Sequence, residues 1–150
     1  LVWDSRTKRY RDHSFGKRWR LSITGESSKK RLVLQKYKSY VNANKDILVD
    51  CIDLPEEKFA RKCNGTINIA LARFNTILLH LIKYPLLAEQ YSAQVEELQK
   101  TLTEFYRCYK KYMMKPSWSR WITMIKLHYL GKRKIPNVRR LLKQVENEID

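Results

Sequence analysis

The stretch DLPEEKFARKCNGTINIALARFNTILLHLIK, residues 53–83, decides the fold. Asp53 is a cap candidate, Pro55 suits a first helical turn, and Glu56 and Glu57 complement the positive end of a helix dipole. Behind them Phe59, Cys63, Ile67, Leu71, Phe74, Leu78 and Leu81 recur every three or four residues, the spacing of one apolar helix face. Asn64-Gly65 weakens this run by about 1 kcal/mol without stopping it. The pattern predicts one long helix to Lys83, closed by Pro85.

Outward from this segment the same period continues. Leu87, Tyr91, Val95, Leu98, Leu102, Phe105, Tyr109 and Tyr112 form the inward stripe of a helix over 86–114. Lys115-Pro116 breaks it, Ser117 can cap a short helix over 118–130, Gly131 is a stop signal, and Pro136 opens a final helix over 137–149. On the N-terminal side, Ser27 or Ser28 is the expected cap of a helix running to about residue 51. Val33, Tyr37, Tyr40, Val41, Ile47 and Leu48 share its inner face, and Lys29, Lys30, Arg31, Lys36 and Lys38 its outer one. Residues 1–26 mix basic and aromatic side chains without helical period and read as an extended basic arm, with a short strand or hairpin at 18–23. Only four Gly and four Pro in 150 residues disfavour a turn-rich sandwich or barrel. The expected architecture is all-α, an up-and-down bundle of about five helices, in a single domain over 1–150.

Charge is the outlier of the composition. Thirty-one Lys and Arg against 15 Asp and Glu give +16, more than solubility requires. Residues 1–40 carry a net +9, residues 41–104 a net −2, and residues 105–150 a net +9. The two ends call for an anionic partner. Lipid headgroups, nucleic acid and acidic glycans all satisfy the Coulomb term equally.

Chemistry has little to build on. His13, His80 and His128 stand outside any motif, and Cys51, Cys63 and Cys108 lack the spacing of a zinc site. Asp50 with Asp53, and Glu96 with Glu97, read as capping or solvated acids rather than a catalytic pair. No P-loop, nucleophile elbow or HExxH occurs. We therefore expect no catalytic residue, no metal and no cofactor. The three cysteines read as small buried hydrophobes, and the odd number permits at most one internal bridge. Leu1 in place of Met fits a processed product, no apolar run approaches the roughly 18 residues of a membrane span, and the sequon Asn64-Gly65-Thr66 carries little weight.

The informative constellation is aromatic side chains set among cations. Trp19 lies among Arg9, Arg11, Lys17, Arg18 and Arg20; Trp118 and Trp121 flank Arg120, and Lys132, Arg133 and Lys134 follow. Trp settles at a headgroup boundary because its ring is apolar and its N–H stays wet, and neighbouring Lys or Arg add about 1 kcal/mol each near an anionic surface. The same residues could stack on bases and pair with phosphates. A core role for Trp118 and Trp121 is the competing expectation.

One further pattern sits in the C-terminal third. A short aromatic helix over 118–130 leads into Gly131-Lys132-Arg133-Lys134, and Ile135-Pro136 opens NVRRLLKQVENEI, which closes on acidic residues. This resembles the corresponding end of the abalone sperm lysin family, and the order of elements over 28–150 is similar too. The match is one of element order and a few positions, with no catalytic motif in it. The 18.1 kDa mass and the long basic-aromatic arm depart from lysin proper and look like the family's 18 kDa fusogenic acrosomal branch. The resemblance implies a non-enzymatic protein stored in the sperm acrosomal vesicle, secreted at fertilisation, and acting on membranes to promote sperm–egg fusion. For lysin proper it implies stoichiometric dissolution of the egg vitelline envelope through an egg-surface glycoprotein. The expected partner is anionic membrane lipid, with an intracellular nucleic-acid-binding domain as the reading from another class.

Overall fold

The computed structural model describes the backbone over residues 2–4, 9–11, 14–50 and 54–149, and side chains over 31–49 and 54–149. The chain divides into two compact units, residues 1–36 and 37–150. In the first, β1 (Val2–Asp4) pairs antiparallel with β2 (Arg9–Arg11), Trp3 opposite Tyr10. Helix α1 (Ser14–Asp50) then runs without interruption. The strand or hairpin expected at 18–23 is therefore helix, and the helix starts at Ser14 rather than at Ser27 or Ser28. Without a proline or a β-turn sequence in 17–30, the favourable propagation of a helix already anchored at 37–50 outweighs the weak strand preference of 18–23. The pairing appears earlier, at 2–11.

The 37–150 unit contains the end of α1, then α2 (Lys58–Lys83), α3 (Pro85–Gln90), α4 (Ser92–Met114), α5 (Trp121–Tyr129) and α6 (Pro136–Ile149). With its short α3 lead-in counted as part of α4, the fold is an all-α bundle of five principal helices, as the apolar periodicity predicts. Helix α2 is its axis. Ile67, Leu71, Phe74, Ile77, Leu78 and Leu81 are fully buried on it, packed against α4 and α6. By length and composition alone α2 could cross a bilayer, which corrects the expectation that no segment comes near that length. Its place in the core accounts for its apolarity. At about 2 kcal/mol for each large side chain removed from water, these six residues are a major source of the unit's stability.

Two departures from regular helix have local causes. The segment expected as one helix over 86–114 is interrupted at Tyr91, whose backbone leaves helical geometry (φ −103°, ψ 12°). Its buried ring sends the hydroxyl to Glu148 Oε1 of α6 at 2.8 Å. At the other end, α5 closes at Tyr129, near the expected stop at Gly131, but the chain stays helical beyond it. Residues Leu130–Lys134 form a π-helical turn, in which the Ile135 amide donates to the Leu130 carbonyl at 2.9 Å. A Cβ at Gly131 would come to 3.7 Å from the Phe105 ring, an ordinary contact.

Polar groups inside the bundle are paired. The Asn44 amide donates to Asn75 Oδ1 (3.0 Å) and Gln99 Oε1 (3.1 Å), Gln99 returns a bond to Asn44 Oδ1, and Asn75 reaches the Val41 carbonyl. One buried amide cluster thus ties α1, α2 and α4. The Tyr37 hydroxyl donates to the Ala88 carbonyl at 2.7 Å. Burial, followed by the nearby Tyr40, pushes the Tyr37 hydroxyl up to about 12.

That shift sets a direction for alkaline stability. A phenol whose folded-state pKa is raised keeps its proton after the unfolded chain has released it. Its stabilising contribution is complete below pH about 10 and is lost as pH rises towards about 12. Urea unfolding at pH 8, 10 and 11.5 should show a falling midpoint. Tyr37→Phe should cost about 1 kcal/mol at pH 8 and flatten the fall above pH 10; an unchanged pH profile would remove Tyr37 as its source.

Candidate functional site

Helix α5 must bury one face and has little with which to do it. Thr123 and Leu127 are its only buried side chains, and Leu130 follows in the π turn. Its other apolar residues point outward. Trp121 is 60% exposed, Ile122 58%, Ile125 62% and Tyr129 54%, and Trp118 in the preceding 3₁₀ turn (Ser117–Ser119) reaches 81%. Residues 118, 121 or 122, 125 and 129 share one helical face, so this is a continuous stripe rather than scattered side chains. Met113 and Met114, exposed at the end of α4, precede it. The expectation that Trp118 and Trp121 could be core residues is thereby settled: both face solvent.

The stripe is held outward by a polar clamp on the opposite side of the α4–α5 corner. Arg120 donates from Nε to the Lys115 carbonyl (2.7 Å) and lies 3.4 Å from Glu57 Oε2. Its guanidinium also sits over the Tyr112 ring, 5.1 Å from the centroid. The Tyr112 hydroxyl donates to the other Glu57 oxygen; burial first, and this bond second, raise Tyr112 to about 12. Lys115 donates to Thr123 Oγ1 at 3.0 Å, and Lys126 pairs with Glu104 at 2.7 Å. Arg120 thus ties the start of α5 to Glu57 just before α2, and Lys126 forms an exposed pair with α4. Lys132 and Arg133 stand exposed, Lys134 is half-buried, and among the described residues no carboxylate pairs with any of the three.

The expected site residues therefore divide. Trp118 and Trp121 are exposed at the α4–α5 corner and Lys132, Arg133 and Lys134 lie in the π turn that follows α5, whereas Arg120 is turned to Glu57 and Tyr112. The side chains of Arg9, Arg11, Lys17, Arg18, Trp19 and Arg20 lie outside the described residues. Ile122, Ile125 and Tyr129 were not singled out in the sequence, although their spacing after Trp118 was the available signal. An apolar helix face reads as core until its neighbours are known.

The remaining candidates are structural. Cys63 and Cys108 are buried free thiols; burial first, and the Glu57 charge second, push Cys63 up to about 11, where it stays protonated and unreactive. Cys51 lies outside the described residues. Asn64 of the sequon is buried inside α2, donating to the Tyr109 hydroxyl (3.3 Å) and accepting from Asn68 (3.0 Å). A glycan there has no room in the folded unit. His128 rests against Phe59, His80 is half-buried, and His13 lies outside the described residues. Among the described residues no three His, Cys, Asp or Glu side chains gather as metal ligands would.

No protein-family model, curated protein or solved structure matches the chain.

The clamp carries a prediction. Arg120→Ala removes the bonds to Lys115 and Glu57 and the contact with Tyr112; partial exposure of the pair keeps the cost to about 1–2 kcal/mol. Hydrogen exchange should accelerate in 117–129 while α2 and α6 stay protected. Uniform acceleration across the bundle would mean that Arg120 supports the whole core rather than the corner.

Proposed function

We propose that this protein is a non-enzymatic, cationic membrane-binding protein whose α5 stripe enters the lipid interface. The observation that carries the reading is the exposed run Trp118, Trp121, Ile122, Ile125 and Tyr129. A contiguous apolar face that a folded chain leaves in water carries a standing free-energy cost, which a bilayer interface relieves. The Trp and Tyr rings suit the headgroup level, the isoleucines the acyl boundary beneath it, and Lys132, Arg133 and Lys134 the anionic headgroups around it.

Nucleic acid accounts for less of this surface. Bases stack on Trp and Tyr and phosphates pair with the cations, yet neither gives Ile122, Ile125 or Met114 a reason to face water. An egg-coat glycoprotein is the second reading, since an apolar stripe with a basic margin could also dock on a protein. The resemblance to the abalone sperm lysin family, which rests on element order and the 118–149 pattern alone, supplies the biological setting: an acrosomal, secreted protein whose membrane binding promotes sperm–egg fusion. The basic N-terminal segment, carrying Trp19, adds by sequence a second cationic region.

With purified protein and vesicles containing anionic lipid, we expect binding followed by lipid mixing. Replacing Trp118, Trp121 and Ile125 by Ser should lower mixing about tenfold or more while reducing binding less, because the basic residues remain. Vesicles that bind and never mix would remove the fusion role. Isolated envelopes that lose structure in proportion to added protein would favour the glycoprotein reading, and duplex DNA that displaces vesicles at physiological salt would favour nucleic acid.

A further inference from the structure

A second feature lies beyond the α5 stripe, where the π turn runs into α6. On α2, Thr66, Ile69, Ala70 and Arg73 follow one another at helical spacing; on the other side stand Ile135, Pro136, Val138 and Arg139, and between the two sets opens a groove of about 280 Å³. Its floor is apolar. Ala70, Ile135 and Val138 are buried and Ile69 is more than half exposed at its mouth. Arg73 and Arg139 both line it and are exposed. Among the described residues neither is held by a carboxylate.

Two arginines thus line one groove with no carboxylate bonded to either among the described residues. That arrangement favours an anion with several oxygens, and a phosphate offers each arginine a bidentate partner. The isoleucine floor adds a requirement that a free phosphate does not meet. The volume is at the lower limit of ligand sites, which run from about 300 Å³, so it suits a headgroup and the first carbons of a chain rather than a whole lipid.

We infer that the α2–α6 groove is a headgroup site for an anionic phospholipid, with Arg73 and Arg139 on the phosphate and the first chain carbons against Ile69 and Ile135. The assignment rests on the membrane reading and gives it a lipid class. It also gives the basic turn a direction, since Lys132-Arg133-Lys134 leads into Ile135 at the groove wall. A lipid drawn out of register here would be held by its phosphate at the turn that ends α5.

The test uses the whole protein and a lipid kept below its micelle concentration, so that no membrane is needed. Short-chain phosphatidic acid (dihexanoyl) is titrated by calorimetry and by amide shifts, beside dihexanoyl phosphatidylcholine and inorganic phosphate. Phosphatidic acid should bind, with shifts in 66–73 and 135–139, and the other two at least about tenfold more weakly. Arg73→Gln and Arg139→Gln should each weaken binding about tenfold. Ile69→Glu, at an exposed position that the fold tolerates, should abolish it with the far-UV spectrum unchanged. The variant lacking Trp118, Trp121 and Ile125 should bind the short-chain lipid normally; its vesicle defect reports the stripe, so the two readings fail separately. Equal binding of inorganic phosphate, equal binding of phosphatidylcholine, or no binding of phosphatidic acid would each overturn the site.

Discussion

Everything in the 37–150 unit depends on keeping α2 out of water. Its buried positions are not confined to a narrow stripe: Ala60, Cys63, Ile67, Ala70, Leu71, Phe74, Ile77, Leu78 and Leu81 all lie inside. A helix apolar over so wide an arc needs neighbours on several sides. Helices α4 and α6 supply the larger surfaces, and α1 closes on it through Asn44 and Val41. The amide cluster of Asn44, Asn75 and Gln99 then fixes register. Sliding α1 by one turn would leave the buried Asn44 and Asn75 amides unpaired, at about 1–3 kcal/mol each, and the half-buried Gln99 without its partner, whereas an all-leucine seam would tolerate the slip.

With α2 enclosed, α5 is left with a small share of the core. Leu127 and Thr123 cover one side of it, and the corner is completed by polar bonds from Arg120, Tyr112 and Glu57 rather than by further burial. The two ends of the clamp come from segments far apart in sequence, Glu57 just before α2 and Arg120 just before α5. Consequently a helix with a mean composition as apolar as a core helix is fastened from one side and shows its other side to solvent. The exposed stripe is what the packing of α2, α4 and α6 leaves uncovered on α5.

This explains what could be read from the sequence and what could not. The 3.6-residue period of 59–81 identifies α2, and the stripe of 87–112 and the start signal at Pro136 identify the helices beside it. The same period cannot tell which face of α5 is wet, because Ile122, Ile125 and Leu127 are equally apolar and only packing separates them. Charge had the converse weakness. Arg120 looks like a free cation in the sequence and is bonded in the fold, whereas Arg73 lies in the nearly neutral middle and drew no attention. The start of α1 was missed because 14–30 is basic and aromatic with no apolar period, and a helix extended from an anchored segment needs none.

The division of the cations bears directly on how the surface works. A net charge of +16 suggests a uniform attraction to anything anionic, but cations spent on internal partners contribute to the far field and not to contact. Arg120 and Lys126 are of this kind. Lys132 and Arg133 are not, and they sit one turn beyond Tyr129 at the end of the apolar stripe. Long-range attraction is screened within about 8 Å at physiological salt, so on the proposed membrane reading it would favour any anionic surface without selecting one. Selection falls to the groups that must lose water on contact, and on this face those are tryptophan and isoleucine side chains that a hydrated polyanion cannot desolvate as well as a bilayer can.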